Sequence, residues 1–223
     1  MNIPALFDPA SAAIVIGGTA LATYLRCGTR NCLLAARALV QLGSPRFNAQ
    51  SAKAGLAAQV NEINQEGLLG AEPHHFGDSE FDEATDALIG GRSVAALLSA
   101  HERHKAARTR MASRASSTLA QAAELAPVFG LAGTLISLSQ LPADGLARGA
   151  YTSAIGMAVL TTLYGLLLAN LLLAPLARAI DRAASAEEQQ RQDIVDWLAA
   201  QVAGAIPGRR AAAAQHRSMD HAA

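Results

Sequence analysis

The sequence predicts an all-α integral membrane protein with three transmembrane helices, two of them extended into a cytoplasmic helical region. Apolar residues make up 51% of the 223 positions and charged residues only 16%, a balance that favours lipid over water. Three windows carry no charged side chain at all: Pro9 to Leu25, Leu125 to Ala143 and Gly149 to Ala177. The charges outside those windows fall almost entirely on one side of the implied membrane. A crossing takes about 20 apolar residues, which makes the first window marginal, the second adequate and the third ample. Buried helices of a soluble bundle are the competing explanation, but windows this long seldom escape charge in water.

The first transmembrane helix is expected at 9–25, after an external N-terminus at 1–8. Ala20-Leu21-Ala22 looks like a signal-peptide cleavage site, yet no Lys or Arg precedes Arg26. A secretory signal needs that basic start, so a retained helix is expected. Of the 18 Lys and Arg, all but Arg148 then lie in Arg26–Arg114 or Arg178–Arg217. With the N-terminus outside and the C-terminus inside, those cations face the cytoplasm, as the positive-inside rule requires. Cys27 and Cys32 follow the first helix on the cytoplasmic side, where thiols stay reduced. With no neighbouring His they make a poor metal site and are expected to be inert.

The cytoplasmic region spans 26–124. Leu56, Val60, Ile63 and Gly67 recur at helical spacing, then Pro73, Gly77 and Asp78 interrupt, as do Gly90 and Gly91; short helices joined by loops are expected. Ser93 can cap a helix that meets no proline until Pro127, with Val94, Leu97, Leu98, His101, Met111, Leu119, Ala122 and Leu125 as its apolar seam. From Ser93 to Glu124 that helix would reach about 48 Å beyond the bilayer. It enters the membrane at Pro127 within a second transmembrane helix at 125–141. An external hairpin at 142–150 holds Pro142, Asp144 and Gly145 as turn formers. The third transmembrane helix, 151–175, is expected to continue past Pro175 as a cytoplasmic helix at 176–206 through Ile180, Ile194, Trp197, Leu198 and Val202, stopping at Gly204. The tail at 207–223 has too few large apolar residues to pack and is expected to be disordered.

Enzymatic chemistry finds no foothold. HERH (His101 to His104) misses the zinc-protease spacing by one residue, and a solvated helix face is the expectation there. GGRS at Gly90 lacks phosphate-loop spacing, and no nucleophile and base pair presents itself. The reading is therefore not an enzyme, with no cofactor and no metal; zero net charge leaves no nucleic-acid footprint either. The run Arg103, Lys105, Arg108, Arg110 and Arg114 is balanced locally only by Glu102. It reads chiefly as inside-facing charge attracted to anionic lipid.

The signal lies in the membrane helices. In the second, Ala126, Gly130 and Thr134 form a row of small residues that lets another helix approach closely, and Gly133 adds a further gap. In the third, Gly165 and Ala169 form a second such row, with Thr161 and Thr162 central. Membrane threonines often bond back to their own helix carbonyls. Three at matching depth on two returning helices, Thr134, Thr161 and Thr162, could instead line a polar seam. No carboxylate stands on either helix, and a proton relay in membrane needs a titratable group. A conducting seam would therefore take its acid from a partner.

LAPVFGLAGTLISL and GMAVLTTLYGLLLANLLLAPLA resemble the MotA/TolQ/ExbB family of ion-channel subunits, with DPASAAIVIGGTALAT and INQEGLLGAE (Ile63 to Glu72) closest to its flagellar-stator branch. The likeness runs over about residues 8–205. The first of that branch's four membrane helices has no counterpart, which leaves the three-helix layout of TolQ and ExbB; either the reading frame begins late or this is a reduced paralogue. Met157 stands where ExbB-like chains carry a glutamate, and Asn64 where the stator motif has an arginine, while Glu72 matches.

The resemblance implies an inner-membrane channel subunit coupling proton or sodium flow to mechanical work, as an oligomeric bundle. It implies a homopentamer around a MotB-like single-span partner whose membrane Asp carries the ion. Thr134 and Thr161 or Thr162 would face that Asp, and its protonation would loosen the hold of the hydroxyls. Contact with the rotor switch protein would use Glu72, with Arg92 or Arg103 in place of the missing arginine. An energiser of envelope transport of ExbB or TolQ type, and a non-conducting membrane scaffold, are the alternative readings.

Overall fold

The computed structural model describes residues 8–43, 47–66, 77–141 and 148–203. Among them every regular element is helical: α1 (Pro9–Leu42), α2 (Ala49–Glu66), α3 (Ser79–Gly91), α4 (Val94–Ser139), α5 (Arg148–Leu167), a π-helical turn (Leu168–Leu173) and α6 (Ala174–Val202). Three stretches are long and apolar enough to cross a membrane: Pro9–Leu42, Val94–Ser139 and Tyr151–Val202. The chain divides into two compact units, one formed by Met1–Ser44 with Met111–Ala183 and the other by Pro45–Arg110 with Ala184–Ala223.

In the first unit α1 starts where its cap dictates. Asp8 accepts a hydrogen bond from the Ser11 amide at 2.9 Å, and Pro9 sits in the first turn, where its missing N–H costs nothing. The helix does not stop near Leu25. It continues to Leu42 across a break at Gly28, whose φ of 76° and ψ of 163° suit glycine. The bend brings the Cys32 thiol within 4.0 Å of the Thr23 carbonyl, nine positions back. Beyond it, Ala35 is buried with Leu39 and Leu42 against Ala115, Leu119, Ala177 and Ile180. That packing explains the extension: a short apolar face survives among Arg26, Arg30 and Arg37.

Pro127 lies inside α4 without ending it. Pro175 leaves a clearer mark. A proline ring clashes with the carbonyl four residues back, and here the preceding turn is π-helical, the Ala174 amide reaching Ala169 O instead. The helix thus passes Pro175 and runs to Val202.

The second unit packs α2, α3, residues 94–110 of α4 and residues 184–202 of α6 around Leu56, Val60, Ile63, Phe81, Leu88, Leu97, Ile194, Leu198 and Val202. The break expected at Gly90 and Gly91 falls one residue later, at Arg92 in the left-handed region (φ 50°). Ser93 then caps α4 through the Ala95 amide at 3.1 Å. The solvated face expected for HERH holds at Glu102 and Arg103, which are exposed, but not at its histidines. His101 is 5% exposed and stands 3.6 Å from Glu188, and His104 meets Glu83 at 2.9 Å. Two members of the basic run are also paired with acids on other helices: Arg108 forks onto Glu188 at 2.9–3.0 Å and touches Glu80, and Arg103 reaches Glu83 at 3.2 Å. These partners lie 20 to 80 residues away, which is why the local count of charge missed them. The hairpin at 142–147, Gly67, Pro73, Glu72 and the tail from 204 lie outside the described residues.

Candidate ion-path seam

The first unit brings α4 and α5 into backbone contact. A Cβ placed on Gly130 would stand 3.0 Å from Thr161 O and 3.3 Å from the Cα of Gly165. One on Gly165 would lie 2.7 Å from Ala126 O and 3.0 Å from the Gly130 Cα. One on Gly133 would be 2.7 Å from Thr161 Cγ2. Such approach is what small residues permit between helices in lipid, where dispersion and not water expulsion holds them. The buried row on α4 is Ala126, Gly130, Gly133 and Ser137, and on the returning helix Ala158, Thr161, Gly165 and Ala169.

Two of the expected rows therefore meet, with a change of register. Gly165 lies in the contact and Ala169 is buried one turn further on, while the α4 row turns through Gly133 and Ser137. Thr134 sits beside it, half-buried. Thr161 is fully buried, at 0% exposure, against Gly133, and Thr162 is half-buried. Each hydroxyl donates to its own helix: Thr134 to Leu131 O at 2.6 Å, Thr161 to Ala158 O at 2.9 Å, and Thr162 to the same carbonyl at 3.3 Å. A hydroxyl so engaged keeps oxygen lone pairs with which to accept. Around these helices the outward face stays apolar, with Leu131, Leu135, Val159 and Leu171 each more than half exposed.

A second line of hydroxyls escaped the sequence reading. On α1, Ser11, Val15, Thr19 and Thr23 are buried at four-residue spacing, a period that was legible in DPASAAIVIGGTALAT. Thr23 donates to Thr19 O at 2.7 Å, whereas the buried Thr19 hydroxyl has no hydrogen-bond partner among the described residues. The Asp8 amide donates to the Tyr164 hydroxyl at 3.2 Å, and Gly18 lies against the Phe129 ring. Among the described residues no group of His, Cys, Asp and Glu is arranged to hold a metal.

The profile of the MotA/TolQ/ExbB proton channel family matches residues 74–193. The chain belongs to that family. The matched stretch contains both faces of the seam, and membership together with three apolar helices puts the chain in the inner membrane. Motility protein A of Cereibacter sphaeroides is 25% identical over 193 residues, 86% of this chain and 76% of that protein. The chemotaxis protein PomA of Vibrio alginolyticus is 23% identical over 147 residues, which span 66% of this chain and 58% of PomA. Two solved structures share the fold: the MotAB complex of C. jejuni (TM-score 0.80, 18% identity, 92% of this chain and 81% of that one) and the flagellar MotAB stator complex of Bacillus subtilis (TM-score 0.76, 20% identity, 93% and 83%). The family is one of channel subunits, not an enzyme class.

Proposed function

We propose that this chain is the ion-channel subunit of a MotA-type stator, coupling proton or sodium flow to mechanical work. The observation that carries the reading is the seam: three glycines bring two apolar helices to backbone contact beside three hydroxyls, with no carboxylate in 125–141 or 151–175. Threonine does not titrate, so the acid is supplied in trans, by a single-span partner of MotB type with a membrane Asp. The subunit forms a pentamer around that partner, with its N-terminus outside and C-terminus in the cytoplasm. Relatives named motility protein A and PomA, and fold neighbours that are MotAB complexes, support this.

The hydroxyl geometry bears on the sign of the coupling. With their hydrogens given to Leu131 O and Ala158 O, the threonines offer lone pairs that accept from the protonated acid. They hold a carboxylate only by turning those hydrogens away from their own helices. This is opposite to the expectation that protonation loosens the hold. Of the residues proposed for rotor contact, Arg92 is exposed, and Arg103 is shared with Glu83.

The test is proton or sodium flux through the chain reconstituted with its partner. Thr161→Val and Thr134→Val keep shape and delete the hydroxyl; unchanged flux in both removes the path. A co-purifying partner with a peptidoglycan-binding domain supports the stator, and one linked to TonB or TolA supports an envelope energiser instead.

A further inference from the structure

α1 changes direction at Gly28, and its two cysteines flank that break. Cys27 is the last helical residue before Gly28, and Cys32 is the fourth residue after it. In a straight helix residues five apart stand about 8–9 Å between Cα atoms, beyond the roughly 7 Å that a disulfide can span. The break removes that obstacle. The Cys32 sulfur lies 4.0 Å from Thr23 O, nine positions back, although nine residues of straight helix advance about 13 Å along the axis. Thr23 O is the carbonyl that faces the amide of Cys27, four residues on in the same helical turn, so Cys32 folds back onto the turn that carries Cys27. Side chains hold the bend in place: the Asn31 amide donates to Cys27 O at 3.0 Å, and the Thr29 hydroxyl donates to the Tyr24 hydroxyl at 3.2 Å.

Both thiols are free and half-buried. Their contacts are weak ones, Cys27 with Gln121 Oε1 at 3.5 Å and Cys32 with Thr23 O, and a thiol is a poor enough donor to give them up readily. We propose that Cys27 and Cys32 are a redox-responsive pair that closes into a disulfide across Gly28, against the inertness expected of them. The thiolate of one cysteine attacks a sulfur of a low-molecular-weight disulfide, whose S–S bond breaks to release one small thiol. The other cysteine gives up its proton, attacks the mixed disulfide and releases the second small thiol. Two protein thiols are oxidised, one disulfide is reduced to two thiols, and the protons pass to the leaving thiolates. Closure pins the angle between the membrane half of α1 and the half that buries Ala35 with Ala115 and Ala177. On the cytoplasmic side the pair stays open under the ordinary reducing poise and closes when that poise turns oxidising. The inference rests on the backbone break, and not on ion conduction.

The test equilibrates the full complex in membranes with oxidised or reduced glutathione, blocks the remaining thiols by alkylation and digests the single-chain band of a non-reducing gel. Trypsin cuts after Arg26, Arg30 and Arg37, so closure joins peptide 27–30 to peptide 31–37. The joined pair should appear with oxidised glutathione and separate again with reduced glutathione. Gly28→Ala disfavours the left-handed φ and straightens the helix, and should lower the joined fraction about tenfold at the same glutathione ratio, since a strained disulfide is more easily reduced. Gly17→Ala, in the same helix but away from the break, should leave it unchanged. The proposal is overturned if both peptides of the wild type stay alkylated or carry only glutathione. It is overturned equally by linkage that appears only between copies, as a two-chain band, or by a Gly28→Ala chain that closes as readily as the wild type.

Discussion

Gly133 stands so close to Thr161 that a Cβ built on it would lie 2.7 Å from the threonine's Cγ2. The Thr161 side chain is itself fully buried. Gly165 is tighter in kind, since its Cβ would meet the Ala126 carbonyl, a backbone atom that cannot swing away. Gly17, on α1, has open space where a Cβ would go, with nothing within 4 Å. Gly165→Ala should therefore destabilise by about 1–3 kcal/mol, as overpacking does, and Gly133→Ala somewhat less. Gly17→Ala should stabilise by up to about 1 kcal/mol, because alanine holds a helix better than glycine. Thermal unfolding in detergent ranks the three, and equal losses at Gly165 and Gly17 would refute the packed seam.

The threonines should separate stability from function. Their hydroxyls bond only to carbonyls of the preceding turn, so replacing Thr134, Thr161 or Thr162 by Val removes a local bond in lipid, worth about 0.6 kcal/mol or little more. Folding should be nearly unchanged. Flux should fall about tenfold or more for Thr161→Val, while Thr161→Ser restores it, because only the oxygen is needed. A variant that keeps both stability and flux shows the hydroxyl to be idle.

The membrane architecture was legible because lipid imposes a crude requirement, length without charge, that Pro9–Leu25, Leu125–Ala143 and Gly149–Ala177 meet. The small-residue rows at Gly130, Gly165 and Ala169 could also be read from spacing. Choosing between Gly133 and Thr134 could not, since adjacent residues lie about 100° apart and only the partner helix decides which one faces it. The extension of α1 to Leu42 was hidden by Arg26, Arg30 and Arg37, which resemble a loop until Ala35 and Leu39 find Ala115 and Ile180. The π-helical turn before Pro175 depends on backbone geometry, not on composition. In the second unit, the acids that face His101, Arg103 and Arg108 lie 20 or more residues away in sequence, so the window around HERH shows only Glu102.

Arg191 makes the second unit's charge cluster testable. Its side chain is 10% exposed and contacts Asp78 at 2.9 Å, Glu187 at 3.1 Å and Glu80 at 3.5 Å, while its guanidinium lies 4.2 Å from the Phe47 ring centre. Removing the guanidinium takes a charged hydrogen-bond partner from the part-buried Asp78 and Glu187, so Arg191→Met should cost about 1–3 kcal/mol. Arg103→Ala, with its side chain 68% exposed beside Glu83, should cost no more than about 1 kcal/mol. Denaturant unfolding of the full chain checks the contrast. Comparable losses would mean that the Arg191 cluster is as solvated as the surface pair.

Asp8 supplies a pH dependence whose sign can be stated. Hydrogen bonds from the Ser11 hydroxyl and amide hold its carboxyl below the ordinary 3.8, against a smaller upward push from burial. A depressed carboxylate contributes stability above its unfolded pKa and loses it as pH falls through the folded value. Asp8→Ala should therefore fray the first turn of α1 at pH 7, by about 1 kcal/mol for a lost cap. In acid below the depressed value the wild type also loses its charge, so the difference between the two chains should close. Hydrogen exchange at Ser11 and Ala12, compared at pH 7 and in acid after correction for intrinsic rates, reads this out. A difference that persists undiminished in acid would show that the cap acts through the shape of Asp8 and not through its charge.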